Sequence, residues 1–172
     1  MDIHVWPPGA IEWRGKMKRC ALGLNGVSAS KRESDGTTPA GVFPLRQIMY
    51  RADRVVLPQT SLRVRNIMPE DVWCDDPKDP AYNCLARLPF SASHEALWRQ
   101  DGLYDVIVEL GHNDEPVIAG KGSAIFLHVA KQGFESTEGC IALELNDLLE
   151  LIGDCEGNER IIINRQQPAP RP

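Results

Sequence analysis

The sequence predicts a mainly β domain with a few short helices. Three observations carry that reading: segments alternating apolar and polar residues, continuous apolar runs of strand length, and only two stretches with helix start and stop signals. The 172 residues suit one domain, because a chain of this length buries about two-thirds of the surface it exposes unfolded. A hydrophobic fraction of 42% and a charged fraction of 25% are those of an ordinary globular protein.

Met17 to Leu24 alternates and runs into Asn25-Gly26, a pair suited to a hairpin turn because its central positions need positive φ. Arg54 to Leu57 and Ser61 to Met68 read as strands, the second setting Leu62 and Val64 against Arg63 and Arg65. Asp105 to Leu110 and Ser123 to Ala130 are apolar runs, the pattern of strands covered on both faces. Arg160 to Asn164 supplies the last strand. Two helices are expected: Ser93 to Gln100, with a capping serine and Gly102 beyond, and Asn146 to Gly153, with an asparagine cap and a glycine stop. No repeat or linker interrupts residues 1–164, which form a single domain. Residues 165–172 are polar and proline-rich, a tail expected to be disordered.

Pro69 to Pro89 reads as an unusually long loop holding Trp73, Asp75, Asp76, Asp79, Tyr82 and Asn83. Long ordered loops are commonly functional, so it is expected to wall a substrate site with Trp73 and Tyr82 covering the ligand. The competing expectation is a surface loop held by its own aromatic side chains.

A net charge of −5 and a pI near 5.4 argue against nucleic acid and anionic membrane surfaces as partners. No apolar run reaches the length of a membrane span, and Met1 to Pro8 lacks the basic region and apolar core of a secretory signal. Five cysteines leave at least one thiol free in any pairing scheme. Cys74 and Cys84 share one loop and are either bridged or reduced, while Cys20 and Cys155 read as packing residues. A zinc site from Cys74, Cys84, His94 and His112 is a remote alternative without a C-x-x-C pair, and no metal is expected.

The chemistry concentrates between Ser123 and Leu143. An apolar run ends on His128, a polar loop follows, and Gly139-Cys140 opens onto Ile141-Ala142-Leu143. A thiol on a turn after glycine, with an imidazole delivered by a neighbouring strand end, is what nucleophilic cysteine catalysis requires. Gly139 gives a substrate room to approach the sulfur, and main-chain N–H groups at the turn face a developing oxyanion. The plainer alternative makes Cys140 a small buried hydrophobe and His128 a satisfied core residue.

The segment from His128 to Leu143 resembles the signature of the L,D-transpeptidase catalytic domain (the YkuD-like family), a histidine followed by Ser/Thr-x-Gly-Cys. Asp35 to Pro44, with Thr38-Pro39-Ala40-Gly41-Val42-Phe43, resembles the family's upstream Thr-Pro-x-Gly-x-Phe turn. The resemblance departs in two places. Glu138 replaces the second histidine of Ser-His-Gly-Cys, and Ala142 stands where a substrate-facing arginine is usual, which marks a divergent, proteobacterial type of branch. The resemblance implies a YkuD-like β-sandwich or barrel-like fold and a cell-wall enzyme acting on peptidoglycan stem peptides, periplasmic although no leader is visible.

On that basis Cys140 is the expected nucleophile and His128 the acid–base group, with Gly139, Thr137 and Ser136 shaping the oxyanion site. Ser136 or a backbone carbonyl would orient the imidazole. Trp73, Tyr82, His112 and Asn113 are the candidate substrate contacts, His112 because it is expected at the same sheet edge as His128; Glu95 and Trp98 are weaker ones. No cofactor is implied. The expected reaction acylates Cys140 with a stem peptide and transfers it to an amine, forming cross-links, including cross-links of a non-standard type. The alternatives are hydrolysis of the same thioester (a carboxypeptidase or amidase), a non-catalytic peptidoglycan-binding module, and a cytosolic cysteine hydrolase.

Overall fold

The computed structural model describes residues 1–56 and 58–167. In chain order the elements are β1 (Asp2–Trp6), β2 (Ala10–Trp13), β3 (Lys16–Arg19), β4 (Val27–Ser28), β5 (Thr38–Pro39), β6 (Gly41–Tyr50) and β7 (Val64–Asn66). There follow β8 (Asp71–Cys74), β9 (Leu85–Arg87), β10 (His94–Ala96), β11 (Val106–Leu110), β12 (Phe126–Val129), β13 (Ile141–Leu143), α1 (Leu145–Gly153) and β14 (Arg160–Ile163). Among the described residues the protein is mostly β, with one short helix.

One large sheet runs β13-β12-β11-β6-β14-β1-β2-β3, with β7 added beside β6. Its two ends meet, because Ala21, just beyond β3, exchanges both backbone hydrogen bonds with Ala142 of β13 (2.8 and 3.0 Å). The sheet is therefore a nearly closed barrel. Alternation decides what fills it: Ile3 and Val5, Ile11 and Trp13, Leu127, Ile141 and Ile163 all point to one buried cluster. Helix α1 adds Leu148, Leu151 and Ile152 to that cluster, spaced to share one helix face, each burial contributing about 1.5–3 kcal/mol.

The outer face of β6, β11 and β12 is also covered. Met49, Ile107, Phe126 and Cys140 form a second cluster with Trp73, Leu97 and Tyr104. Its lid is a three-stranded sheet in the order β10-β8-β9. Two apolar faces explain why β11 and β12 read as continuous apolar runs rather than alternating ones.

Several expectations fail here for local reasons. Ser93 to Gln100 is not a helix; His94–Ala96 pairs with β8, so tertiary pairing outweighs the serine cap. The helix near the C-terminus begins at Leu145 and is capped by Glu144 without a side-chain bond, not by Asn146. Pro69 to Pro89 contains the β8–β9 ladder instead of an irregular loop. Asn25-Gly26 turns the chain but makes no hairpin, since β3 pairs with β2 and β4 pairs in parallel with β5. The stretch from Arg54 to Val56 forms no strand, and Leu57 lies outside the described residues, as does the end of the tail, 168–172. Cys74 and Cys84 are both free thiols, although the Cys74 N–H donates to the Cys84 carbonyl.

Candidate active site

Strands β12 and β13 run parallel, in register Leu127↔Ile141 and His128↔Ala142. The same register sets Cys140 beside Phe126, so Phe126, His128 and Cys140 all point away from the barrel interior. The nucleophile and base candidates thus share one face of adjacent strands. Both are nearly inaccessible, with 9% of Cys140 and 6% of His128 exposed.

Each is held by main-chain groups. The His128 Nδ1–H donates to the Val129 carbonyl at 2.9 Å, which fixes the tautomer and leaves Nε2 with its lone pair. The expected orienter is therefore a backbone carbonyl; Ser136 is exposed and lies away from the imidazole's bond. Burial lowers the imidazole to about 4, so it is neutral at physiological pH. The Cys140 thiol donates to the Ala124 carbonyl at 3.1 Å and accepts the Phe126 N–H at 3.4 Å. Burial, then the nearby Glu95 carboxylate, pushes this thiol up to about 12. Thiol and imidazole are both neutral at rest and share one face of adjacent strands, a state suited to general-base removal of a thiol proton.

The turn before Cys140 is tightly braced. Thr137 Oγ1 donates to the Cys140 carbonyl at 2.7 Å and accepts the Gly139 N–H at 3.1 Å. That N–H is therefore occupied, and the expectation that Gly139 supplies an oxyanion donor is corrected. Gly139 has φ of 144°, and a Cβ there would sit 2.8 Å from the Thr37 carbonyl oxygen, so glycine is required by conformation and by space. The Thr38 hydroxyl accepts the Gly23 N–H and reaches the Cys140 carbonyl at 3.4 Å. The two family-like segments, distant in sequence, meet at the cysteine turn.

A buried lysine completes this wall. Lys31 Nζ bonds Asp35 Oδ1 at 2.5 Å and lies 3.4 Å from where a Cβ on Gly139 would stand. Asp35 also accepts the Thr37 N–H, the Thr37 hydroxyl and the Arg32 N–H, bonds that offset its own desolvation and hold its carboxyl well below the usual range.

On the other side stands Tyr104, 5% exposed, its ring edge-on to His128 with centroids 5.4 Å apart. Its hydroxyl donates to Glu95 Oε1 at 2.5 Å. Tyr104 and Lys31 were invisible as site residues in the sequence: the first looks like a strand-entry aromatic, the second like one charge in a solvated run.

The proposed substrate contacts fare unevenly. Trp73 is 4% exposed, bonds Asn83 Oδ1 at 3.0 Å and packs edge-on against Phe126 with centroids 5.1 Å apart; it is a core residue beneath the site, not a cover. Tyr82 is buried too, its hydroxyl bonded to Glu33. His112 does not emerge beside His128, because the antiparallel β11–β12 pairing sets Ile107 opposite His128 and carries His112 past the other end. Its Nε2 meets the Lys121 carbonyl at 3.0 Å. Asn113 closes its own loop by bonds to Ile118 and Gly122. Trp98 lies under the Arg51 guanidinium at 3.5 Å. Among the described residues no His, Cys, Asp or Glu group is arranged to hold a metal, and no helix is long and apolar enough to cross a membrane.

The structure is thus a nearly closed barrel that carries a cysteine turn and an oriented histidine on neighbouring strands. The family model of the YkuD L,D-transpeptidase catalytic domain matches residues 4–163, and the chain belongs to that family. Among solved structures it is similar to the helical cell shape determining protein Pgp2 from Campylobacter jejuni, at 15% identity and a TM-score of 0.43. A point mutant of that protein matches at 14% identity and a TM-score of 0.40. Each match covers 97% of this chain but only 48% and 47% of the other, so this chain spans about half the length of those proteins. No curated protein matches.

Proposed function

We propose that the protein is a peptidoglycan L,D-transpeptidase in which Cys140 is acylated by a stem peptide and the acyl group passes to an amine. The observation that supports this most is the shared outward face of His128 and Cys140, with Nδ1 tied to Val129 and Nε2 left as the base. In the first step the thiol turns from the Ala124 carbonyl, His128 Nε2 takes its proton, and sulfur attacks the donor carbonyl. With the Gly139 N–H occupied, the Cys140 N–H is the main-chain donor assigned to the oxyanion. His128 then protonates the leaving amine, and the thioester awaits an acceptor. Family membership supports a cell-wall polymer as the substrate and an extracytoplasmic working compartment.

The test is intact-protein mass spectrometry after incubation with purified stem tetrapeptides and muropeptides. An adduct on Cys140 and new cross-linked products support the reading. Shortened peptides without cross-links would assign a hydrolase, and peptide binding without any adduct would leave a binding module.

A further inference from the structure

We propose that Glu95 receives the ammonium group of the amine acceptor, an inference that rests on the acyl-transfer reading above. Glu95 lies on β10, paired with Trp73 in register. Trp73 packs on Phe126, whose N–H donates to the Cys140 sulfur, so one stack leads from β10 to the nucleophile. A second leads to the base: Glu95 accepts the Tyr104 hydroxyl, and the Tyr104 ring meets His128. Packed aromatic side chains thus connect Glu95 to both groups. Its side chain is 30% exposed, so a ligand can reach it.

Charge defines the ligand. Arg99 approaches Glu95 Oε1 only to 3.8 Å, because its guanidinium is engaged by Asp101 through contacts of 2.6 to 3.2 Å. Tyr104 and Arg99 both address Oε1, which leaves Oε2 for an incoming donor. Burial raises the Glu95 carboxyl against the Tyr104 hydrogen bond and the Arg99 charge, which lower it, while Glu138 and Asp75 add to the rise. Asp75 Oδ1 is buried without a hydrogen-bond partner among the described residues. A carboxylate oxygen left open on Glu95, with the Arg99 guanidinium committed to Asp101, is complemented by a cation with several N–H donors, which describes a primary ammonium. Glu138 occupies the position where the family's usual pattern has a second histidine, so this face is acidic in the chain's own departure from that pattern.

The step balances as follows. The ammonium bound at Glu95 passes one proton to that carboxylate and becomes a neutral amine. Its nitrogen attacks the thioester carbonyl, the C–N bond forms, and the C–S bond breaks. The sulfur leaves as thiolate and takes the amine's second proton through His128, while Glu95 returns its proton to solvent.

The experiment follows acyl-enzyme and products by mass spectrometry with a synthetic stem-peptide donor and a peptide acceptor bearing one primary amine. Glu95→Gln is expected to lower the ratio of transfer to hydrolysis at least ten-fold, with the loss concentrated in the acceptor's KM, and Glu95→Asp to restore part of it. In the wild type, added salt is expected to raise the acceptor's KM while leaving the acylation rate constant, a reading that needs no folded variant. An unchanged partition in Glu95→Gln, equal losses in acylation and transfer, or a salt-independent KM would each overturn the proposal. Absence of any adduct on the wild type sinks the acyl-transfer reading, and this inference with it.

Discussion

Tyr104 stands edge-on to the His128 imidazole, ring planes at 77° and centroids 5.4 Å apart, so an aromatic wall rather than a carboxylate faces the proposed base. A carboxylate there would hold the imidazole protonated; an apolar wall keeps it neutral. Tyr104 places its own hydroxyl on Glu95, keeping the acid one ring-length away from the base.

The acid limb of the pH–rate profile for acylation is therefore expected near pH 4, where His128 takes up its proton, and not near the ordinary histidine value of 6.5. His128→Ala should slow acylation by about two to four orders of magnitude. The sign for stability is the same: below 6.5 the unfolded chain binds a proton that the folded one refuses, so stability falls with acid until about pH 4. A rate that already halves at pH 6.5 would assign the base elsewhere.

Cys140 should resist alkylation at neutral pH. Burial holds its thiol near 12, whereas Cys84 is exposed. Iodoacetamide labelling followed by peptide mapping is expected to mark Cys84 first, with Cys140 gaining only as pH rises toward 10 and above. Cys140→Ala should abolish adduct formation with the melting temperature nearly unchanged, and Cys140→Ser should retain only traces. Rapid labelling of Cys140 at pH 7 would show a preformed thiolate.

Trp73→Ala is expected to cost about 3–5 kcal/mol of stability, the usual cost of emptying an aromatic core site, and to leave Asn83 Oδ1 without one of its donors. Chemical denaturation gives the number directly. A loss below about 1 kcal/mol with weakened peptide binding would return Trp73 to the substrate site.

Gly139→Ala should lose both stability and acylation, because the new methyl meets the Thr37 carbonyl oxygen at 2.8 Å with a backbone that L-residues rarely adopt. A crystal structure of the variant with an undisturbed Cys140 turn, or full turnover, would refute this.

The strands carrying the site were legible because burial on two faces writes itself as apolar runs, as in Val106–Leu110 and Phe126–Val129. The proposed pair, Cys140 and His128, stood out in the sequence for another reason: a glycine before the thiol and a histidine at a strand end are what the proposed chemistry demands. Trp73 was misjudged because Asp71–Cys74 lies among aspartates and prolines, although all four of its residues are buried. Local composition there reports the neighbouring turns, not the strand. The stretch around Glu95 misled in the same way, since a serine cap and spaced apolar residues fit a helix that pairing with β8 replaces. Lys31 gains its place at the site from Gly139, and Tyr104 from His128, neighbours too distant in the chain for a short window to contain.

The parallel ladder of β12 and β13 has a consequence for how this scaffold tolerates change. The separation of His128 and Cys140 is set by interstrand register, so the connection from Ala130 to Ser136 has freedom to lengthen or change composition while the two stay in place. The same ladder is intolerant of a slip: an odd shift of β13 would turn Cys140 into the barrel and bring Ile141 outward. Loop grafts on this side are thus a route to new specificity, and single-residue insertions inside Ile141–Leu143 are a route to an inert protein.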